Sequence, residues 1–100
     1  MLMRFNLLFP ASLETVVHSC LQEFEPPLPD YTVYEGEGHG AVFEGASLRE
    51  QVRGCVARQL LVMLLPASHI PQVLSALGAR IKDSRAQWWT ESVVACGGLD

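Results

Sequence analysis

Between Gln59 and Pro66 the chain reads Leu60-Leu61-Val62-Met63-Leu64-Leu65, an unbroken apolar run. A membrane-spanning helix needs about 20 such residues, so the run reads as a strand of a buried sheet. In a strand, successive side chains point to opposite faces. Leu60, Val62 and Leu64 therefore line one face, and Leu61, Met63 and Leu65 the other. Any fold for this chain must keep water from both sides of that strand.

The rest of the chain supplies five further elements. Met3, Phe5, Leu7 and Phe9 alternate with Arg4, Asn6 and Leu8, giving a first strand closed by Pro10. Ser12 is placed to cap a helix, with Glu14 in its first turn. Leu13, Val16, Val17, Cys20, Leu21 and Phe24 then recur at helical spacing. Pro26, Pro27 and Pro29 end this helix and lead into a second strand, Tyr31 to Glu35, rich in β-formers and halted by Gly36. The third strand spans Cys55 to Leu65. Ser68 caps a second helix whose buried stripe is Ile70, Val73, Leu74, Leu77 and Ile81, with Pro71 tolerated in the first turn. Gln87 to Ala95, carrying Trp88 and Trp89, makes the fourth strand.

The order βαββαβ has a natural closed solution in two right-handed βαβ crossovers. It predicts an α+β, ferredoxin-like domain over residues 1–100: a four-stranded antiparallel sheet with both helices on one face. Two helices cover one sheet face only. Phe5, Phe9, Tyr34, Trp88 and Trp89 add more bulk than that face can bury, so a further copy of the chain is expected on the other. Trp88 and Trp89, adjacent in a strand, should split between the helix-covered core and that interface.

Composition narrows the function. About half the residues are hydrophobic (49%), as expected of one globular domain with a core, and the net charge of −4 with scattered basic residues argues against a nucleic-acid surface. The start, MLMRFNLLF, is interrupted by Asn6 and followed by Pro10, unlike a signal peptide. No apolar run suits membrane insertion, and three widely spaced cysteines make no disulfide framework, so a cytoplasmic location is expected. There is no HExxH, no Walker-type phosphate loop and no Ser-His-Asp or Cys-His arrangement placed by motif, so the chain does not read as an enzyme.

The remaining feature is the stretch Gly36 to Gly54, nearly twenty residues between the second and third strands. Most connections in compact domains run to about 4–6 residues, and one this long is usually functional or disordered. Ser47 and Glu50 have capping-box spacing, which predicts a short helix from Leu48 to Arg53. Gly36, Gly38 and Gly40 form a glycine hinge around His39, where backbone can approach a ligand closely and an imidazole has room to coordinate. His39 is thus the first metal-ligand candidate, with Glu37, Glu44 and Cys55 as co-ligands; a divalent metal is the cofactor left open. Phe43, Glu44, Arg49 and Arg53 are the candidate partner-contacting residues. Cys20 and Cys96 read as packing residues, His18 as a surface residue beside Glu14, and His69 as a surface residue. Arg53, Arg58, Arg80, Lys82 and Arg85 are mostly solvated face, with convergence on a cleft for a small anion as the alternative.

Four segments carry a family resemblance: Gly38-His39-Gly40, Glu44-Gly45, Ser47-Leu48-x-Glu50-Gln51-Val52-x-Gly54 and the Trp-containing last strand. With the long insertion in a βαββαβ order, the chain resembles the P-II superfamily of trimeric signalling proteins and its CutA-type copper-tolerance relatives. More closely, it resembles a small proteobacterial P-II-like family associated with heavy-metal efflux systems. The resemblance implies a non-enzymatic regulatory homotrimer whose 36–54 segment corresponds to the T-loop and acts on a partner such as a membrane efflux protein or its regulator. A CutA-like divalent-metal tolerance protein is the alternative. Two P-II features are missing. Ile81-Lys82-Asp83-Ser84-Arg85 lacks the glycines of the P-II phosphate loop, so P-II-type ATP binding is not expected. Phe43 stands where some P-II proteins carry a modified tyrosine, so control by that modification is not expected either.

Overall fold

The computed structural model describes residues 1–39 and 55–100. Their elements run β1 (Leu2–Pro10), α1 (Glu14–Gln22), β2 (Tyr31–Gly38), β3 (Val56–Pro66), α2 (Ile70–Arg80) and β4 (Gln87–Ser92). The strands form one antiparallel sheet in the order β2-β3-β1-β4, with β1 and β3 at its centre. This is the ferredoxin-like arrangement expected from the sequence.

Register decides which residues share a face. Phe5 pairs with Met63 and Leu7 with Leu61 across β1 and β3, while Val33 of β2 lies opposite Leu61. Phe5, Phe9, Leu61, Met63 and Leu65 are fully buried on this face against Val17, Cys20 and Leu21 of α1 and Ile70, Val73 and Leu77 of α2. The opposite face carries Leu8, Leu60, Val62, Leu64, Tyr34 and Trp89, and no described element covers it. Tyr34 is 56% exposed, Trp89 40% and Leu64 36%. The apolar run of β3 therefore serves two surfaces, of which the described chain closes one.

Both βα junctions use the same device. Pro10 and Pro66 end their strands in extended conformation, and Ala11–Leu13 and Ala67–His69 each form one 3-10 turn before the α-helix. The sequence Pro-Ala-Ser stands at both places. Neither Ser12 nor Ser68 caps a helix: the residues before α1 and α2 are Leu13 and His69, and neither makes a side-chain capping bond. The 3-10 turns continue directly into the α-helices and displace the expected serine caps. At the far ends, Arg80 of α2 bonds Glu23, just past α1, and ties the helices together.

Other expectations shift at their edges. β2 does not stop at Glu35 but continues through Gly36 and Gly38, which pair with Arg58 and Val56 of β3. Gly38 leaves room for the Arg58 side chain, which a Cβ there would displace. β4 ends at Ser92 rather than Ala95, because Ser92 pairs with Met3 near the start of β1 and little partner strand remains beyond it. Cys96 consequently lies outside the sheet and is exposed. Val16 is exposed as well, whereas Cys20 packs in the core. Trp88 lies at the edge of the helix-covered face, beside a cavity of about 150 Å³ formed with Leu74, Leu77, Ile81 and Ala86; it is 51% exposed rather than buried. The expected helix Leu48 to Arg53 falls outside the described residues.

Leu61 sits where β1, β2 and β3 meet the helices. Leu61→Ala is expected to cost about 2–5 kcal/mol of stability, read as a lower urea midpoint by circular dichroism; a loss below about 1 kcal/mol would contradict this placement of the core.

Candidate functional site

The end of β2 and the start of β3 enclose the root of the long connection, and alternation gives that root two sides. On the helix side, a cavity of about 270 Å³ is walled by Ala11, Glu35, Glu37, Cys55, Ala57 and Gln59. A second, of about 310 Å³, opens toward the other side beside Leu8, Tyr34, Arg58 and Leu60, and Glu35, Glu37 and Gln59 line it as well. Of the residues expected at a functional site, Gly36, Glu37, Gly38, His39 and Cys55 are gathered here. Gly40, Phe43, Glu44, Arg49 and Arg53 lie outside the described residues.

His39 Nε2 stands 3.5 Å from Glu37 Oε2, with both side chains largely exposed. Cys55 is buried. Among the described residues no group of three or more His, Cys, Asp or Glu side chains is arranged to hold a metal ion. His39 and Glu37 thus supply two nearby donors, and a complete site would need more. Gly36 and Gly38 belong to the paired end of β2, so the pairing with β3 runs to Gly38 and does not stop at Gly36.

The cavity wall contains one residue that pattern reading missed. Gln59 is buried, and its side-chain oxygen accepts no hydrogen bond among the described residues. Its only sequence signal is a polar residue just before the apolar run of β3. Asn6 belongs to the same class. It is buried on the open face, where its Nδ2 donates to Glu91 Oε1 at 3.0 Å and to the carbonyl oxygens of Arg4 and Trp89 at 3.3 and 3.4 Å. Trp89 Nε1 also donates to Glu91 Oε1, at 3.1 Å. Polar residues on an apolar strand are tolerated when their groups are partnered; this network partners the Asn6 amide nitrogen, while its Oδ1, like the Gln59 oxygen, accepts no hydrogen bond among the described residues.

His18 is not merely a surface residue beside Glu14. Its Nδ1 lies 2.8 Å from the Tyr31 hydroxyl and its ring stacks on Tyr31 at 5.6 Å, while Glu14 Oε1 is 3.9 Å from Nε2. The pair fastens α1 to the start of β2. Burial pushes the Tyr31 hydroxyl pKa up, and burial likewise raises that of the Cys20 thiol. His69 precedes α2 and is exposed.

The basic residues do not converge among the described residues. Arg80 is bonded to Glu23, which holds the Glu23 carboxyl below its usual range. Arg85 folds back on Asp83, donating from Nε at 3.0 Å, from Nη2 at 2.7 Å and from its backbone N–H at 2.9 Å. Arg58 lies across Gly38. In the turn before β4, Arg85 is therefore directed to a carboxylate of its own chain.

Comparison with known proteins places this geometry. The model of the DUF3240 family, described as a protein of unknown function, matches residues 1–100. No curated protein matches the chain. A crystal structure of a DUF3240 family protein from Shewanella baltica superposes with a TM-score of 0.77 at 16% identity, covering 99% of this chain and 97% of that one. CPII, a nitrogen regulatory PII-like protein from Thiomonas intermedia bound to ADP, AMP and bicarbonate, superposes with a TM-score of 0.69 at 10% identity, covering 98% and 96%. A putative PII-like signalling protein from Thermus thermophilus gives 0.61 at 14%, covering 90% and 84%. The fold is P-II-like.

The Asp83–Arg85 contact makes a testable contribution. Hydrogen bonds from Arg85 lower the Asp83 pKa, so its stabilisation is present above the ordinary aspartate range and is lost as pH falls through the depressed value. Asp83→Asn is expected to cost about 1 kcal/mol or less at neutral pH. Urea unfolding across pH should show the difference between variant and parent shrinking toward zero in acid; a difference that grows in acid would contradict it.

Proposed function

We propose that this chain, which belongs to the DUF3240 family, is a non-enzymatic P-II-like regulatory protein. It assembles with copies of itself through the open face of its sheet and presents the segment after His39 to a protein partner. The observation that carries this reading is the uncovered face of Leu8, Leu60, Val62, Leu64, Tyr34 and Trp89, in a P-II-like fold whose long connection leaves from the adjoining strand edge. A contiguous apolar face of this kind marks an interaction surface. Assembly as a trimer, a cytoplasmic location, and a heavy-metal efflux component or its regulator as partner are the finer terms that the family resemblance supplies. No helix among the described residues is long and apolar enough to cross a membrane.

The non-enzymatic part rests on the absence of a recognisable catalytic motif in the sequence. An adenine nucleotide, which CPII binds, is left out of the reading for two reasons: the turn before β4 has no glycine, and Arg85 is committed to Asp83. A second reading, divalent-metal binding in the manner of CutA proteins, draws on the His39–Glu37 pair at 3.5 Å.

One set of measurements separates the two. Under the regulatory reading, immobilised protein captures the efflux component, a variant with residues 40–53 replaced by a short Gly-Ser linker does not, and calorimetry with Zn²⁺, Cu²⁺ and Ni²⁺ shows no tight uptake. Tight stoichiometric uptake lost in His39→Ala would instead establish metal binding. Capture that survives loop replacement would contradict the role given to the segment.

A further inference from the structure

The open sheet face is apolar at its centre and charged at two opposite corners. At one corner Arg58 of β3 stands opposite Pro10 of β1 and Gly36 of β2. Its guanidinium lies over Gly38 in the space a Cβ would fill. It makes no hydrogen bond or ion pair with the described residues. At the other corner Glu91 of β4 stands opposite Arg4 of β1. Its Oε1 accepts from Trp89 Nε1 at 3.1 Å and Asn6 Nδ2 at 3.0 Å, and Arg4 Nη1 is 4.0 Å away. Those contacts all fall on Oε1 and leave Oε2 open.

The corners cannot meet within one copy. Arg4 and Pro10 mark their positions along β1, which at a rise of about 3.3 Å per residue puts them roughly 20 Å apart along the strands, and β1 itself lies between β3 and β4. Covering the face would bury the Arg58 charge. A buried guanidinium without a counter-ion costs several kcal/mol, so the covering surface must bring an oxyanion to it. By strand register Glu91 is the one carboxylate among the described strand residues of this face; Glu35 and Glu37 occupy the alternate positions of β2 and line the cavities beside Arg58 at the strand ends. A second copy packed against this face and related by a cyclic axis carries its own Glu91 corner toward the first copy's Arg58.

We propose that Arg58 of one copy pairs with Glu91 of the next, with Gly38 making room for the guanidinium and Asn6 and Trp89 holding the carboxylate. This rests on the self-assembly reading above and names the contact that fixes its register. The pair recurs at every interface, so it selects one arrangement of two otherwise slippery apolar faces. Charged pairs at interfaces act mainly in this way, through specificity and orientation.

The test is a charge exchange read by analytical ultracentrifugation. Arg58→Glu and Glu91→Arg should each weaken self-association by about tenfold or more, and the double variant should recover most of the loss. Arg58→Gln and Glu91→Gln provide milder arms, since the amide introduced by Glu91→Gln retains an oxygen for Trp89 and Asn6; their effects should be less than additive when combined. Circular dichroism confirms that each variant is folded. An assembling parent whose exchanged double variant associates no better than the weaker single, or whose Gln variants are additive, would overturn the pairing while leaving self-assembly intact. A monomeric parent would overturn both.

Discussion

Everything in this molecule follows from a central strand pair that is apolar on both sides. β1 and β3 lie side by side with Phe5, Leu7, Leu61, Met63 and Leu65 beneath the helices and Leu8, Leu60, Val62 and Leu64 on the reverse. Two short helices close the first surface. The second has no cover within the described chain, and burial of apolar area is worth about 25 cal/mol per Å². The same pair positions the end of the sheet from which the long connection leaves. β3 holds the paired end of β2, and with it the residues that lead into the long connection.

The sequence made the framework legible because its elements are punctuated by strong local signals. The alternation in Met3 to Phe9, the helical stripes from Leu13 to Phe24 and from Ile70 to Ile81, and Pro10 and Pro66 each mark an element. Differences gather at junctions, where partner strands and turns decide. Gly36 has the look of a stop signal, yet pairing with β3 carries β2 on to Gly38, and the glycine at 38 answers a contact with Arg58 that no local pattern reveals. Ser12 and Ser68 have the right chemistry for caps, but each sits inside a 3-10 turn that replaces the cap.

The site was legible only in outline. Glycines around a histidine suggest a ligand, and His39 does lie beside Glu37. Long-range partners stay hidden, because spacing along one chain segment cannot show them. His18 bonding Tyr31 links residues 13 positions apart, and Asn6 reaching Glu91 spans 85. Arg85 groups by composition with other basic residues as a source of positive potential, whereas Asp83, two residues earlier, already engages it. Charge counts describe a surface only after such local pairs are removed from them.

The claim on which the account turns is that the open sheet face is an interface between copies. Light scattering coupled to gel filtration, at micromolar protein and physiological salt, tests it most directly. The account predicts one peak with the mass of three copies of the 11.0 kDa chain. A stable, well-folded monomer across the same concentrations would contradict it.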